Sequence, residues 1–243
     1  MTNDYRSSHL SPEKGISYHK AFLNNPYRRM VWQLEQGVLD DIMATFYKET
    51  DIYHLDFACG TGRILSYLKD RTQNTVGVDL SPSMLNVARK NNKEVEIIEA
   101  DLTRCDVLGQ RKFNLITAFR FFPNAEDCLR MEAMKVITRH LADNGYLVFN
   151  NHKNTGSTRN RLARLFGHVD FIGMSIDEVK TLLEPNGLET VKIYNLCTFP
   201  ASDRYMLLPV SILRHIERFL CNISILQKVG ENLVFVCRRA VPG

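Results

Sequence analysis

The stretch that most constrains this chain is Ile52-Tyr53-His54-Leu55-Asp56-Phe57-Ala58-Cys59-Gly60-Thr61-Gly62. An apolar run ends in small residues, and Arg63-Ile64-Leu65-Ser66-Tyr67-Leu68-Lys69 continues with helical spacing. That pattern predicts a strand, a tight turn and a helix start. Glycines in such a turn let backbone approach a ligand closely, and the helix N-terminus offers N–H groups without helical partners.

Strand signals recur at Thr75 to Asp79, Val95 to Glu99, Phe113 to Phe119 and Tyr146 to Asn150. Helical patterns at Arg63 to Asp70, Ser83 to Asn91, Asn124 to Leu141 and Ser175 to Glu184 separate or follow them. This alternation predicts βαβ units with right-handed crossovers, hence an α/β doubly wound parallel sheet with helices on both faces. Ser81-Pro82 predicts a helix start, with serine as cap and proline in the first turn. Ahead of the first strand, Val31, Leu34, Val38, Ile42 and Phe46 mark an amphipathic helix, preceded by an ambiguous lead-in from Pro12 to Asn25. In the tail, Leu188 to Leu196 and Asn232 to Arg238 read as an antiparallel strand pair. Between them lies an insertion at 198–230 with an apolar-basic helical stretch, Ile212 to Leu226.

Composition is that of an ordinary globular protein, 44% hydrophobic and 24% charged, and 243 residues suffice for one large domain. The expected division is an N-terminal helical lid at 1–49 and a catalytic domain at 50–243, with disorder confined to the ends. The polar start, Met1 to His9, reads as neither a signal nor an anchor, so a cytoplasmic protein without stable membrane insertion is expected. Six scattered cysteines form no C-x-x-C pair and suggest neither metal nor disulfide. A net charge of +4 is too mild to announce a nucleic-acid partner.

Three aspartates, Asp56, Asp79 and Asp101, fall 23 and 22 residues apart at or just beyond strand ends. A carboxylate after the second strand suits a ribose diol. The dehydrogenase pattern G-x-G-x-x-G fails at Leu65, and G-x-x-x-x-G-K-[ST] is absent. With acid just before the turn and no lysine in it, the turn suits a cationic ligand better than a pyrophosphate.

These stretches resemble the class I S-adenosylmethionine-dependent methyltransferases. The family's acid-x-G-x-G-x-G motif is matched by Asp56 to Gly62 with Ala58 in place of the first glycine. The resemblance implies a Rossmann-like, seven-stranded, mostly parallel sheet with an antiparallel last strand, and S-adenosyl-L-methionine as cofactor. It also implies cofactor roles for Asp56, Ala58, Gly60, Gly62, Asp79, Leu80, Met84, Asp101, Leu102 and Ala118. Asp56 would lie near the amino group, Asp79 would hold the ribose, Met84 would pack on adenine and Asp101 would meet its amine.

The acceptor side is expected after the fourth and fifth strands and in the N-terminal part. Candidates are Arg120, Phe121, Asn151, His152, Tyr18 and Arg28, with His152 as general base. Arg28 or its neighbour Arg29 could instead meet the cofactor's carboxylate. The basic run Lys153, Arg159, Arg161 and Arg164 could attract an anionic acceptor. The resulting expectation is methyl transfer to oxygen or nitrogen of a small molecule, for which an anionic acceptor is one option, with a homodimer contact as one role open to the insertion. The alternatives are an RNA or protein methyltransferase and a cofactor-binding partner without turnover.

Overall fold

The computed structural model describes residues 5–8, 11, 14–48, 51–167, 172–202, 208–221 and 223–240. Residues 203–207 and 222 of the predicted insertion, and residues 1–4 and 9 of the polar start, therefore lie outside the described residues. The strands are β1 (Tyr53–Phe57), β2 (Asn74–Asp79), β3 (Glu96–Glu99), β4 (Phe113–Ala118), β5 (Leu141–Asn151), β6 (Leu188–Leu196) and β7 (Asn232–Arg239). They form one sheet in the order β3-β2-β1-β4-β5-β7-β6. The first five pair in parallel, and β7 lies antiparallel between β5 and β6. The expected α/β architecture, with its reversed last strand, is the observed one.

Alternation along the central strands builds two cores, because successive side chains point to opposite faces. Ile116, Leu147, Phe149 and Phe235 face one way, packing with buried residues of α6 (Asp127–His140) and α8 (Ile176–Leu183). Leu115, Val148, Val234 and Val236 face the other way, where α3 (Pro26–Phe46) contributes Met30, Leu34, Leu39 and Ile42. Asn25 caps α3 by accepting the Arg28 N–H at 3.1 Å, and Pro26 stands in its first turn. The helix expected ahead of the first strand thus supplies one wall of the core.

Several local expectations change. Residues 5–8 form a helical turn, α1 (Tyr5–Ser8), where disorder was expected. The ambiguous lead-in contains α2 (Lys14–Asn24), whose Gly15 comes so close to α5 (Pro82–Asn91) that a Cβ there would sit 2.1 Å from the Ser83 carbonyl oxygen. Ser81 stands at the cap position of α5, but its hydroxyl makes no capping bond; its N–H donates to Asp79 Oδ1 at 2.8 Å instead. After β1 comes α4 (Arg63–Leu68), which closes in a 3₁₀ turn at Lys69–Arg71. α6 begins three residues later than expected, because Phe122–Asn124 forms a separate 3₁₀ turn around Pro123. Beyond β5, α7 (Thr158–Leu165) carries Arg159, Arg161 and Arg164 of the basic run while Lys153 stays in the loop before it, and the insertion holds α9 (Val210–Leu220) followed by a short turn. Among the described residues, no helix is long and apolar enough to cross a membrane.

The chain passes from β1 outward through β2 and β3, then returns to place β4 on the other side of β1. That reversal leaves a crevice beyond the carboxyl ends of β1 and β4, where ligands of open α/β sheets bind.

Candidate active site

At the end of β1 the backbone takes left-handed φ angles at alternate residues: Ala58 (55°), Gly60 (55°) and Gly62 (74°). A Cβ at Gly62 would lie 2.7 Å from Asn92 Nδ2 and 3.0 Å from the Ala88 Cβ, so both conformation and space call for glycine there. Ala58 occupies the same kind of conformation with a side chain, at a cost that glycine would avoid. The turn is tied to β2 by the Cys59 N–H donating to the Val78 carbonyl at 3.0 Å and the Gly60 N–H donating to Asp79 Oδ2 at 2.8 Å.

A cavity of about 460 Å³ opens beside this turn, within the usual range for small-molecule sites of roughly 300–1,000 Å³. Asp56, Ala58, Gly60, Asp79 and Met84 line one part of it. Tyr18, Phe22 and Arg28 enter from the N-terminal helices, and Arg63, Arg120, His152 and Lys153 from the sheet side. A smaller recess continues past Ala58 and Asp79, between Leu80, Leu102, Phe57 and Phe121, with Asp101 at its edge. Tyr5 borders both spaces, its ring edge-on to Phe121 with centroids 5.4 Å apart. Arg6 donates to Asp101 at 2.8 Å and to Thr103 and Glu132, each at 2.7 Å. Despite partial burial, Thr103 and Arg6 hold the Asp101 carboxyl below its ordinary range.

Beneath the cavity lies Glu35, fully buried in the middle of α3. Its Oε1 accepts from Asn232 Nδ2 at 2.9 Å and Asn150 Nδ2 at 3.2 Å, and lies 3.8 Å from Arg120 Nη2. Its Oε2 is 3.5 Å from Arg63 Nη1. Burying a carboxylate is tolerable only with such partners. Both guanidinium groups also stand over the ring of Phe22, Arg63 at 4.1 Å and Arg120 at 5.0 Å.

Arg120 has φ of 62°, a conformation uncommon for a side-chain-bearing residue. It is fixed by its N–H donating to Asn150 Oδ1 and by Asn124 Nδ2 donating to its carbonyl, each at 2.6 Å. Strain held in place this way is a frequent mark of a working residue.

Two histidines lie nearby, His54 fully buried and His152 partly so. In the sheet, Asp56 and Thr117 are paired neighbours on β1 and β4, and the Thr117 hydroxyl donates to Asp56 Oδ1 at 2.7 Å. His54 Nε2 lies 2.8 Å from the same hydroxyl, which assigns the ring proton to Nε2. Burial raises the Asp56 carboxyl to about 7, with Thr117 opposing, and lowers His54 to about 3. His152 lines the cavity, and its buried Nδ1 accepts and donates no hydrogen bond. Burial, together with Arg120, Lys153 and Arg63, holds its pKa well below the ordinary value, so the ring is neutral.

Of the residues singled out in the sequence, Asp56, Ala58, Gly60, Asp79, Met84, Tyr18, Arg28, Arg120 and His152 meet at the cavity. Leu80, Asp101 and Leu102 gather at the recess. Phe121 does not wall the larger cavity; it is 4% exposed and packs between Phe57, Phe122 and Tyr5 on the recess side. Asn151 is fully buried, its Nδ2 donating to the Met174 carbonyl at 2.7 Å, and it lines neither space. Gly62 and Ala118 lie behind the lining. Sequence reasoning missed Tyr5, Arg6, Phe22, Glu35, Arg63 and Asn232. Only Glu35 left a signal, as an acid on the same face of a helix as Val31, Leu34, Val38 and Ile42.

The arrangement fits a nucleoside cofactor with a charged amino-acid tail. The recess is a mostly apolar slot, and the Asp79 carboxylate, held by two backbone N–H groups, lines both it and the cavity. A Cβ built at Gly60 would meet nothing within 4 Å, so the turn presents bare backbone to open space.

Residues 55–145 match the model of a family described as "Methyltransferase domain". Over 161 residues the chain is 35% identical to the type II methyltransferase M.CvrRI of Paramecium bursaria Chlorella virus XZ-6E, covering 57% of this chain and 40% of that relative. Among solved structures it is similar to magnesium protoporphyrin IX methyltransferase from Synechocystis PCC 6803 with bound SAH (TM-score 0.64, 12% identity, 98% of this chain and 100% of that one). It is also similar to a TehB-like methyltransferase from Corynebacterium glutamicum (TM-score 0.60, 18% identity, 94% and 100% covered). N-methyltransferase NodS from Bradyrhizobium japonicum WM9 gives a TM-score of 0.58 at 17% identity, with 91% of each chain covered. With the glycine turn, the strand-end aspartates and the sheet order, these matches give the chain a methyltransferase domain over residues 55–145, in the fold of the S-adenosylmethionine-dependent methyltransferases, with S-adenosylmethionine as cofactor.

Proposed function

We propose that the protein transfers a methyl group from S-adenosylmethionine to an oxygen or nitrogen of a small molecule. The observation that carries this reading is that the Gly60–Asp79 turn and the His152–Arg120 pair open onto one shared cavity. In this reading Asp79 holds the ribose and the recess bounded by Leu80, Leu102 and Phe57 takes the adenine. Asp101, already ionised by its partners, stands at the adenine edge. Asp56 and the Ala58–Gly62 backbone face the cationic amino-acid end, and Arg28 or Arg63 its carboxylate.

The bound cofactor supplies a methyl group on a sulfonium, an electrophile with a good leaving group. What the chain adds is mainly alignment, which can account for most of the acceleration in such a displacement. His152, neutral and without a partner at Nδ1, accepts the proton that an O–H or N–H acceptor must lose. The N-terminal helices, through Tyr18, Phe22 and Arg28, cover the site and exclude water.

A cavity of this size suits a metabolite. The match to M.CvrRI spans 40% of that protein and leaves the acceptor open. Calorimetric titration with S-adenosylmethionine and S-adenosylhomocysteine tests the cofactor assignment, and absence of binding to both would overturn it. Incubation of metabolite extracts with methyl-labelled cofactor tests the acceptor class. The expected product is a labelled small molecule, whereas label confined to RNA or protein would overturn the acceptor reading.

A further inference from the structure

Among the described residues, more cationic than anionic side chains line the cavity. Arg28, Arg63, Arg120, Lys153 and Arg159 line it. Arg159 is paired with Glu231 at 2.5 Å. Arg63 and Arg120 share one carboxylate, Glu35, at the long distances of 3.5 and 3.8 Å. Arg120 Nε is buried without a hydrogen-bond partner. Lys153 is half-buried, with no carboxylate in ion-pair range among the described residues. Of the other lining carboxylates, Asp79 is engaged by the Gly60 and Ser81 N–H groups and Asp56 by the Thr117 hydroxyl.

S-adenosylmethionine does not remove this excess. It carries a sulfonium, an ammonium and one carboxylate, so it brings a further net positive charge. Its carboxylate has Arg28 and Arg63 to meet, which leaves Arg120 and Lys153 facing the acceptor space beside His152. Gathering cations in a partly desolvated pocket is costly unless an anion completes the site.

Resting on the methyltransferase reading above, we propose that the acceptor carries an oxyanion, a carboxylate or a phosphate, bound by Arg120 and Lys153 while its nucleophilic O–H or N–H faces His152. The guanidinium is pre-set for this role. Its left-handed backbone is pinned by Asn150 and Asn124, and Phe22 stacks against it, so little ordering remains on binding. The planar fork would take two oxygens, and the lysine would add a point charge on the side of His152.

The test uses the full chain saturated with S-adenosylhomocysteine, titrated calorimetrically at low ionic strength with benzoate, inorganic phosphate and the neutral benzamide. The expected result is measurable binding of benzoate or phosphate and none of benzamide, the tighter anion identifying the group. Lys153→Gln should weaken that anion by about tenfold, the loss of one charge-assisted contact, while leaving S-adenosylhomocysteine affinity within about threefold. Arg120→Gln should weaken it at least as much, and Lys153→Gln keeps the test decisive if burial makes that variant unstable. The inference is overturned if the cofactor product binds but neither anion does, if benzamide binds as well as benzoate, or if Lys153→Gln leaves anion affinity unchanged. It is overturned as well if that variant loses cofactor-product affinity in equal measure, since Lys153 would then serve the cofactor's carboxylate. Failure of the protein to bind S-adenosylhomocysteine at all is read in the first titration, and overturns the methyltransferase reading together with this one.

Discussion

Asn232 Nδ2 donates to Glu35 Oε1 at 2.9 Å, joining the start of β7 to the middle of α3 across 197 residues. The same oxygen accepts from Asn150 at the end of β5, so one buried carboxylate ties three elements beneath the cavity and faces both Arg63 and Arg120. Glu35→Ala would leave two guanidinium groups without their shared countercharge and the buried Asn232 amide without an acceptor, while Asn150 would keep only Asn232 Oδ1. The expected loss is about 3–5 kcal/mol, seen as a fall in melting temperature of roughly 2–4 °C per kcal/mol. Glu35→Gln, which keeps an acceptor oxygen, should lose less; equal melting temperatures for parent and alanine variant would refute the network's structural role.

Asp79 does two jobs in this geometry. Its oxygens hold the Gly60 and Ser81 N–H groups, and the side chain lines the cavity. Asp79→Ala should therefore weaken S-adenosylmethionine binding by about ten- to a hundredfold, as two charge-assisted hydrogen bonds and the turn's anchor disappear together. Calorimetry reads this directly, and unchanged affinity would move the ribose site elsewhere.

The alternate left-handed residues make opposite predictions for two small substitutions. Ala58→Gly relieves a positive φ and should raise stability by up to about 1 kcal/mol, reduced by the greater freedom of glycine in the unfolded chain. Gly62→Ala adds strain and a contact of 2.7 Å with Asn92, so it should cost at least 1–2 kcal/mol, roughly the left-handed penalty alone. Denaturant titration of both variants checks the pair, and a stability gain from Gly62→Ala would contradict the turn geometry.

The buried pair of Asp56 and His54 has a distinctive pH signature. Asp56 titrates near 7 in the folded chain, raised by burial and secondarily by Asp79 while Thr117 and Arg63 oppose. Its contribution is thus present below the ordinary carboxylate pKa and is lost as pH rises towards 7. His54, depressed to about 3 by burial, contributes stability above 6.5 that is lost as pH falls. Between about pH 4 and 6.5 the folded pair is neutral and the unfolded pair zwitterionic, so both bind one proton and the opposing slopes cancel. Asp56→Asn removes one side of this balance. The variant should lose ground to the parent as pH is lowered from about 7 to 5, by as much as about 1.4 kcal/mol per unit. A stability difference independent of pH in cofactor-free protein would show that Asp56 is not a buried, raised acid.

His152→Ala should lower kcat by about a hundredfold or more if the ring takes the acceptor's proton. Cofactor affinity should change far less. Rapid-quench turnover and calorimetry separate the two, and full activity in the variant would remove His152 from the mechanism.

The fold was legible in the sequence because each βα unit announces itself locally. Strand runs and helical periodicity belong to neighbouring residues, and crossover rules then give parallel pairing. The cofactor half of the site was legible for the same reason. Asp56, Gly60 and Asp79 sit at strand ends, and parallel register brings those ends together. The acceptor half was only partly legible. Arg120 and His152 follow strands and could be named, whereas Phe121 and Asn151, beside them in sequence, turn into the core.

What the sequence determined alone is the α/β sheet, the glycine turn and the three aspartates. Those depend on spacing along the chain. Tertiary structure decided that Glu35, Asn150 and Asn232 form one buried support under Arg63 and Arg120, and that Tyr5 and Arg6 return to Phe121 and Asp101. Contacts between residues 28 (Glu35 to Arg63) to 197 (Glu35 to Asn232) positions apart depend on how helices and strands dock, and no local periodicity encodes that docking. The excess of positive charge in the cavity is likewise a property of five distant residues meeting, and it appears only when the chain is folded.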